Sequence, residues 1–268
     1  MTSPAKNLID ALALPASCRV DQRIAKKLLS DNGAPSAADK RLINEGIEEI
    51  QWVAALKPNT VGVAAYRDQQ REYLEIAVLV VTLRTIDGKV PSPARTAELV
   101  QRAVPYPLVM LTTIDGRMEL SLVHKRWAQN DPGSTVIDGE LLTVSLDAFV
   151  EGGDSSNLIT ARAIERQFFE SLAVTRQPQA SLLTLYQGWM DCVQALLVAR
   201  LTGYFTVPDN AEQAAVRRQA FHECQDLEAE ASRLRALAAK ERQMSRQVDL
   251  NLALKRVQER LSAARNRL

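Results

Sequence analysis

The second half of the chain, from Ser156 onward, is the feature that most restricts the fold. It has few helix breakers and almost no runs of β-branched residues, which favours helices. Three segments share this composition: 157–174, 180–205 and 210–268. A rise of 1.5 Å per residue would make the last one about 85 Å long if it were unbroken. The sequence therefore predicts a helical region over residues 151–268, with a long amphipathic helix from about residue 211.

Two apolar stripes run along this predicted long helix. The first contains Leu227, Ala231, Leu234 and Leu237, and the second contains Leu254, Val257, Leu261, Ala264 and Leu268. Polar residues between them fit either two coiled-coil segments joined by a stutter or a hairpin that turns near residues 244–249. A narrow stripe needs a partner helix, from the same chain or from a second copy. We therefore predict an interaction seam, with a homo-oligomer left open, formed by Leu254, Val257, Leu261 and Leu268.

The first half mixes helix and strand patterns. Residues 36–57, SAADKRLINEGIEEIQWVAALK, place apolar side chains near helical spacing, with Ser36 as a candidate cap and Pro58 just after the end. This spacing predicts an amphipathic helix. Residues 60–66 and 73–84 are rich in β-branched residues and predict an antiparallel pair. The second of these strands is apolar on both faces, which places it at the centre of a sheet.

Further strands and one helix complete the predicted N-terminal domain. Residues 92–104 predict a helix, and residues 106–127 predict a hairpin around the turn Ile114-Asp115-Gly116. Residues 134–146 supply another strand. The predicted fold class is α+β: a mixed α/β domain with an antiparallel-rich sheet over residues 1–150, followed by a helical region over 151–268 that ends in a long coiled-coil-like helix.

The stretch ELSLVHKRWAQNDPG, residues 119–133, ends an alternating strand pattern in a cluster of cations and one tryptophan. Alternation places Leu122 and His124 on one face and Val123 and Lys125 on the other. We expect Lys125 and Arg126 to be exposed at the edge of the sheet and Trp127 to be mostly buried. Residues 131–133, Asp-Pro-Gly, predict a closing turn.

The formal net charge of +1 conceals an uneven distribution of charge. Residues 227–268 hold ten basic and five acidic side chains, and residues 19–41 hold six and three. Such blocks suit phosphate contact, although a solvated charged surface is the commoner explanation. The candidate DNA-binding residues are Lys26, Lys27, Lys40, Arg41, Lys125 and Arg126.

Common catalytic motifs are missing from the sequence. The Gly-Lys pair in TIDGKVPS lacks the other glycines of a phosphate loop, and two histidines without G-x-S-x-G argue against a serine or cysteine hydrolase. Cys18, Cys192 and Cys224 form no CxxC pair, and His222 would point away from Cys224 on a helix. We predict no catalytic residue, no metal site and no cofactor.

A divergent metal-dependent nuclease stays open as an alternative. Its chemistry needs carboxylates that converge on Mg²⁺ beside a lysine. Candidates are Glu45, Glu49, Glu75, Glu119 and Lys125. Glu75 lies within an apolar strand, so it needs a cation such as Arg84 or Arg95, or a place at the strand's outer margin. The usual pattern of an acid followed by acid-x-lysine on one strand is missing from the sequence.

The sequence also predicts a cytoplasmic protein without a membrane partner. Asp10 interrupts the apolar start that a secretory signal needs, and no run of about 18 apolar residues exists. Three scattered cysteines suit a reducing compartment.

Four segments in this order resemble the bacterial proteins grouped as domain of unknown function 4391, over roughly residues 17–268. They are residues 23–58, residues 66–84, ELSLVHKRW and LYQGWMDCVQALLVARLTGYF. Ala25 stands where the family's RIPKK would have proline. The family has no activity attached to it, so no catalytic residue carries over.

The resemblance implies a setting beside superfamily 2 helicases and DNA methyltransferases in defence clusters. The expected function is a non-catalytic accessory subunit of a prokaryotic antiphage defence system, which binds a helicase-like or methyltransferase partner and leaves DNA binding open. A self-assembling structural protein is the third hypothesis.

Overall fold

The computed structural model describes residues 3–86, 88–129, 134–146 and 155–268. The chain divides into two compact units, Met1–Val193 and Gln194–Leu268. The predicted division near residue 150 marks the change from sheet to helices. The helix Ser155–Ser171 belongs to the first unit, and the helix Leu182–Thr202 crosses the boundary between the units.

Eight strands are described in the first unit: β1 Arg19–Arg23, β2 Ile47–Leu56, β3 Tyr66–Arg67, β4 Glu72–Tyr73, β5 Ile76–Leu83, β6 Leu108–Ile114, β7 Arg117–Trp127 and β8 Thr135–Ser145. Six of them form a mixed sheet in the order β1-β2-β5-β6-β7-β8. Within the described sheet β5 and β6 run parallel, and the other neighbours are antiparallel. The strands β3 and β4 form a separate small ribbon.

Helices flank and follow the sheet. Those described are α1 Ser3–Ala11, α2 Lys26–Gly33, α3 Ala37–Arg41, α4 Pro58–Val61, α5 Pro93–Ala103, α6 Ser155–Ser171, α7 Leu182–Thr202, α8 Ala211–Lys240 and α9 Met244–Arg265. The crossover from β5 to β6 is α5, which begins after Ser92, whose side chain accepts a hydrogen bond from the Arg95 N–H. The predicted fold class, an antiparallel-rich sheet followed by helices, is confirmed. Coiled-coil character stays a prediction.

The strand β5 lies at the centre of the sheet, as its apolar sequence predicts. Leu79 and Val81 face a core under α5 together with Ile47, Ile50 and Met110, each 0–1% exposed. Each fully buried aliphatic side chain of this size contributes about 1.5–3 kcal/mol relative to an exposed one. The sheet is therefore the most stable frame on which a site could be built.

The predicted helix over residues 36–57 is wrong beyond its first turns. Ser36 does cap α3, but a π-helical turn, Leu42–Gly46, ends the helix and β2 follows. The pairing of β2 with β5 shifts register between Ile47 and Glu49. Because this irregularity reverses the alternation of faces, Ile47 and Ile50 share one core although they are three residues apart. That spacing imitates a helix.

The predicted antiparallel pair of residues 60–66 and 73–84 is confirmed only next to its turn, where Tyr66 in β3 pairs with Tyr73 in β4, and is wrong for the rest. Thr60 and Val61 end α4, and Gly62 terminates it with a φ of 72°, a left-handed conformation that favours glycine. The antiparallel neighbour of β5 is β2.

The hairpin between β6 and β7 is confirmed. Ile114 pairs with Arg117 across a two-residue turn, in which Asp115 and Gly116 have φ values of 48° and 81°. Positive values at both positions define a type I′ turn, which suits the twist of the flanking strands. The turn fixes the register, so Thr112 lies opposite Glu119. The closing turn predicted at residues 131–133 lies outside the described residues.

Among the described helices α7 is long and apolar enough to cross a membrane, but 67% of that stretch is buried within the protein. Its side chains fill a core: Trp189 is 1% exposed and donates from its indole nitrogen to the Leu172 carbonyl at 2.8 Å. These contacts explain its apolar composition as protein packing.

The C-terminal segment forms a hairpin of two helices, so the single unbroken helix is corrected to the hairpin alternative. The helix α8 ends at Lys240 and α9 begins at Met244. The Glu241 carboxylate accepts hydrogen bonds from the backbone N–H groups of Arg242 and Gln243, at 2.8 and 2.9 Å. These bonds hold the pKa of Glu241 below its usual value, and they satisfy donors at the start of α9.

Candidate functional site

The strand β7 presents His124 to α7 through a chain of polar contacts. His124 Nδ1 lies 2.5 Å from the Tyr73 hydroxyl, and Nε2 lies 2.8 Å from Gln187 Oε1. Gln187 Nε2 donates to Asp191 Oδ1 at 2.9 Å, which fixes the orientation of the amide. Since an amide oxygen can only accept, Nε2 of His124 carries a proton, and a neutral ring then accepts from Tyr73. The side chains of Tyr73, His124, Gln187 and Asp191 therefore form one continuous series of hydrogen bonds.

Beside these residues, the Tyr186 hydroxyl supplies a hydrogen-bond partner to a strand residue that lacks one in the sheet. The register between β7 and β8 shifts between Leu122 and His124, and Val123 has no partner in that ladder. The Tyr186 hydroxyl accepts from the Val123 N–H at 2.9 Å and lies 2.9 Å from the Leu108 carbonyl. Burial raises the pKa of Tyr186. The hydroxyl is a structural group that replaces a missing ladder bond.

Lys125 points to the opposite face of β7, and its expected exposure is wrong. It is 2% exposed, and Nζ donates to the backbone carbonyl of Val104, at the C-terminal end of α5. The physical reason is that β8 pairs along β7, so β7 is not an edge. Burial lowers the pKa of Lys125 to about 7. An ammonium held in this way cannot contact a DNA phosphate.

Arg126 and Trp127 join the end of β7 to the ribbon of β3 and β4. The Asp138 carboxylate accepts from Arg71 at 2.6 Å and lies 3.7 Å from Arg126 Nε. The Trp127 N–H donates to the Gln70 carbonyl at 2.8 Å, and the Arg67 guanidinium lies 6.0 Å from the Trp127 ring centroid. Trp127 is half-buried. The cluster in ELSLVHKRW is therefore mainly an anchor for the ribbon.

The other four candidate DNA-binding residues lie near the start of β2. Lys26 donates to the carbonyls of Asn44 and Ile47, and burial, with Arg84 and Arg23 nearby, lowers the pKa of Lys26. Arg41 pairs with Glu45 at 2.6 Å. Lys27 and Lys40 are exposed.

The six candidate residues do not form one face. The start of β2 pairs with the end of β5, which is level with the end of β6 and the start of β7. Arg126 lies near the far end of β7, about 25 Å away along the strand. DNA contact by Lys26, Lys27, Lys40 and Arg41 stays a prediction.

The candidate carboxylates are spread over the sheet. Glu45 pairs with Arg41, Glu49 lies 3.6 Å from Arg23, and Glu75 pairs with Lys57 at 3.1 Å. Glu75 therefore has a cation partner as expected, but Lys57 supplies it rather than Arg84 or Arg95. In the part of the chain that the structure describes, no three His, Cys, Asp or Glu side chains come together as a metal site would require.

A cavity with both polar and apolar lining, between the sheet and the start of α5, was missed from the sequence. Thr112, Glu119 and Ser145 lie side by side across β6, β7 and β8, and the cavity volume is about 380 Å³. The Asp115-Gly116 turn could have predicted this pairing, because a two-residue turn fixes which residues face each other. The pairing with β8 had no comparable signal in the sequence.

The predicted seam packs on α8 within the same chain. Leu254, Val257, Leu261 and Leu268 contact a core of α8 residues that comprises Cys224, Leu227, Ala231 and Leu234. Arg265 pairs with Glu228 at 2.7 Å and Arg267 pairs with Glu223 at 2.5 Å.

Residues 12–261 match the family described as Domain of unknown function (DUF4391), which is nearly the whole chain. The chain belongs to this family. No curated protein and no solved structure matches it. Every candidate residue of the DUF4391 chain lies inside the matched range except Leu268, the last residue of the seam.

Proposed function

We propose that the protein is a non-catalytic accessory subunit of a prokaryotic antiphage defence system, located in the cytoplasm. In this role it binds a helicase-like or methyltransferase protein, and it contacts DNA through exposed cations. The proposal starts from the setting that the family resemblance implies.

The observation that carries this proposal is the engagement of the groups that chemistry would need. His124 is held between Tyr73 and Gln187, Lys125 donates to the Val104 carbonyl, and Glu75 pairs with Lys57. A general base or a metal ligand must be within reach of a substrate or ion. Binding, in contrast, needs only surface charge and exposed apolar side chains, both of which the chain offers.

Co-expression with a helicase-like protein or a methyltransferase encoded beside the gene tests partner binding. A stoichiometric complex that survives size-exclusion chromatography is the expected result. Failure with both proteins would overturn the proposal.

A DNA titration tests the proposed contact with DNA. Binding of a duplex by fluorescence anisotropy should be sequence-tolerant, with a linear dependence of log affinity on log salt. Lys27→Gln or Lys40→Gln should lower the slope by roughly one unit if that lysine contacts a phosphate, and Lys125→Met should leave it unchanged. Binding without salt dependence would remove DNA from the proposal.

A DNA cleavage assay distinguishes the accessory function from the alternative, a metal-dependent nuclease. DNA cleavage in Mg²⁺ or Mn²⁺ that Glu119→Gln abolishes would replace the accessory function, because an accessory subunit has no such activity of its own.

A further inference from the structure

The face of α9 that points away from α8 carries a second apolar stripe. Met244, Val248 and Leu252 follow one another at four-residue spacing and are 73%, 52% and 52% exposed. We call these three residues the outer stripe. With 3.6 residues per turn, the outer stripe and the seam around Val257 point in roughly opposite directions. The hairpin therefore buries one apolar face of α9 and leaves the other in water.

The surroundings of the outer stripe are cationic. Residues 240–256 contain five basic side chains, all exposed, and two acidic ones. One of the two acids, Glu241, already accepts hydrogen bonds from the backbone of the turn. The basic residues are Lys240, Arg242, Arg246, Lys255 and Arg256.

We propose that the outer stripe is the docking surface for an acidic amphipathic helix of a partner protein. Apolar residues of that helix at i, i+4 and i+7 would cover Met244, Val248 and Leu252. Its flanking Asp and Glu side chains would meet Arg242 at one end of the stripe and Lys255 and Arg256 at the other. The partner helix would thus complete a three-helix arrangement on the hairpin, with charge complementarity setting its orientation.

Charge favours this occupant over a second copy of the chain. Two outer stripes packed together would bring the basic residues at the ends of one stripe, Arg242, Lys255 and Arg256, against those of the other copy, and like charges at an interface oppose association. A membrane surface is a poorer match, since the outer stripe has no aromatic residue and spans little more than two turns.

The docking surface deepens the proposed accessory function and rests on it for the identity of the partner. Binding of an acidic amphipathic helix by the outer stripe does not depend on which protein carries that helix, so it is tested with a defined peptide and the full-length chain.

The probe is a fluorescent peptide of about 18 residues with Leu at the a and d positions of each heptad and Glu and Ala elsewhere. A matched peptide has Lys in place of Glu. The variant Val248→Gln/Leu252→Gln removes the apolar contacts, and Val216→Gln, at a residue on α8 that is 51% exposed, is the matched control. All three proteins should have the same melting temperature, because the substituted side chains are exposed.

The acidic peptide should bind the natural chain, and the double variant should weaken binding by about ten-fold or more, from the loss of two apolar contacts. Val216→Gln should leave affinity within about two-fold, and added salt should weaken binding. Equal binding of the two peptides, or unchanged binding by the double variant, would overturn the proposal.

Two further measurements test whether a second copy of the chain or a membrane surface covers the outer stripe instead. A mass that rises with concentration in light scattering and falls in the double variant would assign the outer stripe to a second copy. Binding to phosphatidylcholine vesicles with roughly a quarter phosphatidylglycerol, lost in the double variant, would assign it to membranes. If instead the peptide binds as expected while neither the helicase-like protein nor the methyltransferase forms a complex, the docking surface stands and the accessory function falls.

Discussion

The sheet unit and the C-terminal hairpin use their basic residues in different ways. In the sheet unit Lys26 and Lys125 donate to backbone carbonyls, and Arg126 lies beside the carboxylate of Asp138. In the hairpin all ten basic residues from 227 to 268 are exposed, and among them Arg265 and Arg267 pair with acids of α8. These three cations of the sheet unit complete a structure, whereas the cations of residues 227–268 mostly meet solvent.

The same contrast holds for apolar side chains. Both faces of β5 are buried, and that strand carries no exposed apolar stripe like the one on α9. A two-helix hairpin can bury only the face where its helices meet, so additional apolar residues remain in water. Exposed large apolar side chains are thus denser along the hairpin than in the sheet unit, whose buried core supplies stability.

The strongest test of the contrast is Val257→Asp in the seam. Val257 is 5% exposed, and an unpaired carboxylate there should cost more than about 3 kcal/mol and detach α9 from α8. Far-ultraviolet circular dichroism should lose helix, while tryptophan fluorescence should not change, because Trp52, Trp127 and Trp189 all lie in the first unit.

Leu252→Asp is the control, since Leu252 is exposed and should cost less than about 0.5 kcal/mol. The mass of both variants in light scattering should equal that of the natural chain, as the seam packs within one chain. A smaller species for Val257→Asp would show that the seam joins two copies.

The next largest effect is expected from Tyr186→Phe in the sheet unit. Removal of the hydroxyl leaves the Val123 N–H and the Leu108 carbonyl without this partner, which should cost about 2–3 kcal/mol. Urea denaturation followed by tryptophan fluorescence measures the loss. Tyr204→Phe, at a residue 78% exposed, should change stability by less than about 0.5 kcal/mol. Equal losses in the two variants would show that Tyr186 does not sustain the register shift.

Sequence patterns predicted the elements whose signals are local. The cap at Ser36, the Asp115-Gly116 turn and the apolar character of β5 depend on neighbouring residues alone, and the structure has each of them. The strand β2 was mistaken for a helix because its register irregularity depends on pairing with β5, which no local pattern encodes. Tertiary pairing overrode the local spacing.

The candidate site shows the same limit. The alternation of His124 and Lys125 across β7 is confirmed, since one contacts α7 and the other contacts the end of α5. The predicted exposure of Lys125 was wrong, because the exposure of a side chain on β7 depends on which strand pairs beside β7. Charge in a sequence therefore identifies a surface only where the fold leaves that surface open.

Lys125 gives the pH-dependent test of the contrast. The folded pKa of about 7 lies below the ordinary value near 10.5, so between these values the unfolded chain binds the extra proton. The cost of burying Lys125 should therefore fall as pH rises. The stability of the natural chain relative to Lys125→Met should increase by about 1 kcal/mol per pH unit between pH 7 and 9.

Urea midpoints across that range measure the slope, and Lys255→Met, at an exposed lysine of the hairpin, should give a flat difference. A flat difference for Lys125→Met as well would mean that Lys125 stays charged when buried.

The smallest expected difference compares one ion pair from each region. Arg71 and Asp138 are 32% and 24% exposed, whereas Arg265 and Glu228 are 47% and 40% exposed. Solvent screens the more exposed pair more strongly, so its coupling energy should be about 0.2–0.5 kcal/mol against roughly 1 kcal/mol for Arg71 and Asp138. Double-mutant cycles with Gln and Asn replacements measure both values, and about 0.5 M salt should reduce the hairpin pair further. A hairpin pair that couples more strongly than the sheet pair would contradict the view that charges are structural in the sheet unit and solvated in the hairpin.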